Sequence, residues 1–374
     1  MRRTVIITGL IPILALLSIS LFLVRSRALG ATAVATVTLT QELAAPAPGE
    51  LRFAVIGDFG SGSSDEAAVA NLVKSWKPSF VVTVGDDRYG ARDYDAAVGR
   101  FYCDYLKDAG TGVFCPGDVS DVNRFFPTLG NHDYSDGAGL TEYLSYFTLP
   151  GAGIPEGGRS GQERYYDFIQ GPVHFFALDS MAAIVSPTDR AAQQKWLEAG
   201  LKASSAPWRI VLLHHAPYSS GTHGSTAAMQ WPYEAWGADA VLAGHDHTYE
   251  RLQIGAIPYF VNGLGGMSRY SFKNPVAGSQ VRYNKDYGAM LVTASETELV
   301  YQFVSRAGIM IDSYRQLRPT PPVMATLTST ATPQATSTPA ALPTSRPTST
   351  PGPTPGVTPA VRPLFVYLPL YLHR

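Results

Sequence analysis

Five short clusters of Asp, Asn, His, Tyr and Gly punctuate this chain, and each directly follows a run of apolar residues: LRFAVIGDFG, SFVVTVGDDRYG, RFFPTLGNHDY, WRIVLLHHAPY and ADAVLAGHDHTYE. Between them they offer the side chains of Asp58, Asp86, Tyr89, Asn131, His132, Asp133, His214, His215, His245 and His247. Carboxylate, phenol, amide and imidazole donors in this mixture suit hard or borderline metal ions, and there are enough of them for two. Taken singly, a Gly-Asp after a strand reads as a turn, an Asn-His as the start of a helix and a His-Asp-His as a polar loop. Five such clusters at the ends of five apolar runs are hard to read as five unrelated turns.

The runs themselves say how the clusters could meet. Continuous apolar stretches of this length read as strands buried on both faces. Between the first two lies DEAAVANLVKSW, with Ala68, Leu72, Val73 and Trp76 at helical spacing, so the chain opens with a β-α-β unit. DRAAQQKWLEAGLKAS predicts a second helix, followed by another strand. Helices alternating with buried strands argue for an α/β layered fold. In such sheets ligands collect beyond the carboxyl ends of the strands, where all five clusters fall.

The ordered blocks GD, GDxxY, GNHD, VxxH and GHxH resemble those of the metallophosphoesterases and, within them, the short single-domain purple acid phosphatases. The resemblance covers essentially the whole folded unit. It implies an α/β fold, a layered β-sandwich flanked by helices, with the metal site at the carboxyl ends of the strands. Carried over residue by residue, it assigns Asp58, Tyr89 and His247 to one metal, Asn131, His214 and His245 to a second, and Asp86 to a bridge between them. Many metallophosphoesterases have a histidine two residues after the first aspartate; here Gly60 stands there and Tyr89 appears instead. That exchange marks the purple phosphatases, because a phenolate favours trivalent iron. The implied cofactors are Fe(III) and a divalent ion, Fe, Zn or Mn.

The implied reaction is hydrolysis of a small phosphate monoester by a metal-bound hydroxide, with His132 as general acid, Asp133 orienting it and His223 facing the phosphate. Two features depart from the pattern. Either histidine of HHAPY is a candidate ligand, the VxxH frame favouring His214 over His215; and Asp87 occupies a place often filled by asparagine, which adds a negative charge. Competing readings are a phosphodiesterase or nucleotide hydrolase on the same core, and a wall-displayed binding protein with a vestigial site.

With 374 residues, 45% hydrophobic, the chain is ample for one large domain. Its formal charge of −1 and lack of basic runs give no footprint for nucleic acid. Residues 1–30 hold an uncharged apolar stretch between MRR and RSR, which reads as a signal peptide or an N-terminal anchor. A linker is expected over 31–50 and the catalytic domain over 51–318. A Thr/Pro-rich stalk without a core follows over 319–363, then a short apolar tail over 364–374. The expected protein is exported, extracellular or at the cell surface, with membrane or cell-wall attachment through the N-terminus or the tail. An oxidising compartment would let Cys103 and Cys115 form a disulfide; two buried thiols are the alternative.

Overall fold

Val, Ile, Leu and Phe concentrate in the runs that precede the polar clusters, and β-branched and aromatic side chains fit a pleated, buried surface. In the computed structural model these runs are strands. The structure describes residues 49–318, apart from 108, 117, 118 and 159. The expected signal or anchor segment, the linker up to residue 48, the Thr/Pro-rich stalk and the apolar tail lie outside the described residues.

The chain forms β1 (Leu51–Ile56), β2 (Phe80–Thr83), β3 (Phe125–Phe126), β4 (Tyr166–Gln170), β5 (Val173–Ala177), β6 (Trp208–His215) and β7 (Ala240–Gly244). It continues through β8 (Tyr249–Ile254), β9 (Ile257–Asn262), β10 (Ser279–Tyr283), β11 (Gly288–Ala294), β12 (Glu298–Ser305) and β13 (Met310–Leu317). A six-stranded sheet has the order β13-β12-β11-β1-β2-β3, and a seven-stranded sheet the order β10-β8-β9-β7-β6-β5-β4. Both are mixed: β1, β2 and β3 pair in parallel, as do β5, β6, β7 and β9, while the outer pairings are antiparallel. The five apolar runs of the sequence are β1, β2, β3, β6 and β7, all in the parallel portions.

Aromatic contacts knit the facing sheets together. Phe53 of β1 and Phe80 of β2 meet Phe175 of β5 edge-on at 5.1 and 5.6 Å, and Phe260 of β9 stacks on Tyr301 of β12 at 4.7 Å. Strand β6 shows why its run is apolar throughout. Trp208, Ile210 and Leu212 enter the core between the sheets, whereas Val211 and Leu213 join a second core with Leu197 and Leu201. Those two leucines belong to the helix Pro187–Ala203, which starts with the Ser186 hydroxyl accepting from Asp189 N–H and Pro187 in its first turn. The β1–β2 crossover is the helix Ser64–Ser75, capped by Ser63; its buried face carries Val69, Ala70 and Val73, while Ala68 is only half-buried. The result is two mixed sheets flanked by helices, the α/β class the sequence implies.

Cys103 and Cys115 are joined in a disulfide, so the free-thiol alternative is not realised. Closing a loop of this size is worth roughly 3 kcal/mol on the chain-entropy model. Among the described residues no helix is long and apolar enough to cross a membrane.

Candidate metal centre

Three of the site residues leave their strands at sharp turns. Asp58, Asp86 and His245 have positive φ of 55°, 55° and 70°, a conformation uncommon for residues other than glycine and concentrated at functional sites. The turns after β1 and β2 are tied together, Asp58 N–H donating to Gly85 C=O at 3.0 Å and Phe59 N–H to Asp86 C=O at 3.3 Å. Gly85 has a φ of 90°, and a Cβ there would lie 2.6 Å from Nδ1 of His214, so only glycine lets β6 bring that imidazole in.

Seven side chains converge at these turns in two groups that share one carboxylate. In the first, the Tyr89 hydroxyl lies 3.4 Å from Asp58 Oδ1 and 3.2 Å from His247 Nε2, and His247 Nε2 lies 3.3 Å from Asp58 Oδ1. In the second, His214 Nε2 lies 3.1 Å from Asn131 Oδ1 and 3.2 Å from His245 Nδ1. Asp86 Oδ2 stands between them, 3.0 Å from the Tyr89 hydroxyl and 3.3 Å from His214 Nε2.

The donor set fits metal ions for a reason visible in its hydrogen bonds. His214 Nδ1 sits 2.9 Å from Val84 C=O, and His247 Nδ1 2.5 Å from Ser268 C=O. A carbonyl only accepts, so each Nδ1 carries a proton and leaves Nε2 as the atom that can offer a lone pair. Those lone pairs face acceptor oxygens: Asn131 Oδ1 and Asp86 Oδ2 in one case, Asp58 Oδ1 in the other. Lone pairs converging in a buried place call for a cation, and backbone-fixed tautomers are what metal-binding histidines show. Atoms of Asp58, Asp86 and His247 all lie within 4.8 Å of one another.

The same carboxylates attract a proton to this place. Burial alone would lower the His214 imidazole, but the Asp86 carboxylate outweighs it and lifts His214 to about 9. Burial would raise Asp86, yet His214 and His132 outweigh it and hold the carboxylate below its usual range. His245 is pushed down by burial and by His214, His215 and His223, which keeps it neutral. Tyr89 is driven well above a free phenol by burial and by Asp86 and Asp58.

Of the adjacent histidines, His214 is the one in the cluster. His215 packs its ring on His245 at 4.4 Å, but its Nδ1 meets Ser180 Oγ at 2.9 Å instead of the donor atoms of the cluster, and burial beside His214 lowers it to about 3. His223 is brought in as well, its ring stacking on His245 at 4.1 Å while its N–H donates to Asp246 at 2.7 Å. His132 lies against Tyr89, ring centroids 4.4 Å apart, and its N–H donates to Asp86 Oδ1 at 2.9 Å.

One expected role moves to another residue. Asp133 does not orient His132: its buried carboxylate accepts the N–H groups of Gly130 and Asp86 at 2.8 and 3.0 Å and the Tyr94 hydroxyl at 2.9 Å. It is a clasp joining the turns after β2 and β3, raised to about 7 by burial and the charge of Asp86. The partner of His132 is Asp136, whose Oδ2 lies 2.8 Å from Nδ1, one helical turn on. Asp87 is fully buried and neither carboxylate oxygen has a partner in hydrogen-bonding geometry; burial and Asp133 raise it well above the usual carboxyl range. Burial and its acidic neighbours thus oppose the negative charge the sequence suggests. Asp136 and Tyr270, whose ring stacks on His247 at 3.9 Å, escaped the sequence reading. The i, i+4 spacing of His132 and Asp136 was the signal for the first; Tyr270 lies in a loop without one.

The sequence profile of the calcineurin-like phosphoesterase family matches residues 51–249. The chain is 28% identical to purple acid phosphatase 23 of Arabidopsis thaliana over 54% of this chain and 47% of that protein. It is 26% identical to purple acid phosphatase 3 of the same plant, over 72% of this chain and 78% of that protein. The match thus spans just under half the length of the first relative. Among solved structures, purple acid phosphatase PPD1 from yellow lupin (Lupinus luteus) seeds superposes with a TM-score of 0.55 at 18% identity, over 71% of this chain and 53% of that one. At that identity the likeness is one of fold.

Proposed function

The chain belongs to the calcineurin-like phosphoesterase family, and from that premise we propose that it is an exported phosphomonoesterase working at a two-metal centre of the purple acid phosphatase type. The observation that carries this reading is the position of Asp86 Oδ2, 3.0 Å from the Tyr89 hydroxyl and 3.3 Å from His214 Nε2. One carboxylate oxygen at the junction of two donor groups is what a bridging ligand requires.

Asp58, Tyr89 and His247 would hold one ion, Asn131, His214 and His245 the other, with Asp86 shared. Tyr89 in place of a histidine favours Fe(III) at the first position, and the second suits divalent Fe, Zn or Mn. When bound, such a pair supplies positive charge for the phosphoryl oxygens and a nucleophile at neutral pH. The chain supplies the rest. Val84 and Ser268 fix the tautomers of His214 and His247 through their carbonyls. Asp136 holds Nδ1 of His132 and leaves Nε2 to carry a proton to the leaving oxygen. His223, stacked on His245, stands where it could donate to a phosphoryl oxygen. Export is supported by the apolar N-terminal stretch and by the Cys103–Cys115 disulfide.

Comparison of kcat/KM for 4-nitrophenyl phosphate and methyl 4-nitrophenyl phosphate, in the wild type and Asp86→Ala, tests the proposal. It expects the monoester to be preferred and both activities to collapse in the variant. A preferred diester would instead identify a phosphodiesterase, and no turnover of either by folded, metal-loaded protein a binding role.

A further inference from the structure

Beside the metal centre, the loop containing Ser268–Ser271 and the turn at Asn284–Lys285 border a cavity of about 420 Å³ that is widely open to solvent. Tyr270 forms the wall between the two. Its ring stacks on His247, its N–H donates to His247 C=O at 3.0 Å, and its edge lies 5.3 Å from the His223 ring. Tyr270 thus borders both the metal centre and this space.

The lining is cationic and its shape is held by the chain. Arg269 Nη1 donates to the carbonyls of Asn284 and Lys285, its guanidinium covers the Tyr287 ring at 5.2 Å, and Asn284 Nδ2 donates to Tyr270 C=O at 2.8 Å. Lys285 is exposed on the turn so fixed and has no carboxylate partner among the described residues. Its acidic neighbour Asp286 is engaged elsewhere, Oδ1 lying 2.7 Å from Arg306 Nε. No carboxylate lines the cavity.

We propose that this cavity receives the leaving-group part of the ester and selects esters whose leaving group bears its own anionic group, with Lys285 as the specificity-determining cation. The inference rests on the phosphomonoesterase reading of the adjacent centre. Its substrate class is a phosphate ester carrying a carboxylate or second phosphate a few bonds from the scissile oxygen, and a planar leaving group would also lie on the half-buried Tyr270 ring.

The test is the ratio of kcat/KM for 4-carboxyphenyl phosphate to that for phenyl phosphate, measured at constant ionic strength in the metal-loaded wild type, Lys285→Ala, Lys285→Glu and Lys285→Arg. Reading a ratio within each variant cancels the leaving-group effect of the carboxylate and any general change in rate. The ratio is expected to fall about 5-fold in Lys285→Ala, the size of a partly exposed charge pair, further in Lys285→Glu, and to recover in Lys285→Arg, with the change residing in KM. A ratio equal in all four proteins would overturn this inference alone. Absence of hydrolysis of both esters by the wild type would overturn the phosphomonoesterase reading and this inference with it.

Discussion

The backbone N–H of Tyr89 donates to the carbonyl oxygen of Gly60 at 2.9 Å, binding the turn that carries the phenol to the turn that carries Asp58. The contact is so close that a Cβ on residue 60 would lie 2.0 Å from Asp87 C=O and 2.2 Å from Arg88 Cα. A histidine at position 60 and a tyrosine delivered by this turn are therefore mutually exclusive without moving the backbone. Gly60→Ala should displace Tyr89 and cost roughly 1–3 kcal/mol through overpacking. Denaturant unfolding with metal quantification checks this; an unchanged midpoint and full metal content would show that the two turns can separate freely.

Tyr89 lies between Asp58 and Asp86, and its phenol is held protonated first by burial and then by these two carboxylates. Only a strongly charged cation would turn it into a phenolate. Protein carrying Fe(III) should show a visible charge-transfer band that disappears on iron removal and in Tyr89→Phe, whose ring fills the same volume. Visible spectra paired with iron analysis decide; near-stoichiometric iron with a band indifferent to Tyr89→Phe would take this residue out of the coordination sphere.

His132→Ala should keep its metals and lose kcat by roughly 10²–10⁴-fold on esters with poor leaving groups, and by much less on activated aryl esters that need no proton. Asp136→Ala should show the same leaving-group dependence at smaller amplitude, up to about 100-fold, because it misplaces the ring without removing it. Asp133→Ala should instead impair folding and metal content, since it strands the N–H groups of Gly130 and Asp86. Equal losses across leaving groups in His132→Ala would contradict its role as acid.

These residues also mark how far the sequence could be read. Asp58, Asp86, Asn131, His214 and His245 were legible because each follows a mainly apolar run, and strands buried on both faces announce themselves by composition. Asp133 was misread because adjacency in sequence to His132 says nothing of direction: on a helical turn the neighbour at i+4, Asp136, shares the face and the neighbour at i+1 does not. Strands β8 to β13 were not assigned from the sequence; they include the antiparallel ribbon whose half-exposed alternation in β12 gives a weaker signal than a buried run. Tyr270 reaches His247 through a loop after β9, a placement fixed by tertiary packing and by no local pattern.

Away from the metal centre, Asp167 Oδ2 accepts from His174 Nε2 at 2.8 Å and from the N–H groups of Gly157 and Gly158 at 2.5 and 3.0 Å. Burial would raise this carboxyl, but His174 and the two backbone donors outweigh it and lower it. A depressed carboxyl contributes stability above its unfolded value of about 3.9, lost as pH falls through the folded one. Asp167→Asn should therefore destabilise the domain at neutral pH by roughly 1–3 kcal/mol, and the gap from the wild type should close on acidification below about pH 4. Thermal melts across pH test this; a gap that widens in acid would reverse the sign.

The most direct measurement of the central claim is the rate of 4-nitrophenyl phosphate hydrolysis as chelated, metal-free protein is titrated with Fe and a divalent ion. The metal-free chain should be inactive, one equivalent of metal should restore little, and activity should rise to its plateau as the second equivalent binds, because Asp86 serves both donor groups. Full activity in the metal-free protein, or a plateau reached at one equivalent, would contradict a two-metal centre.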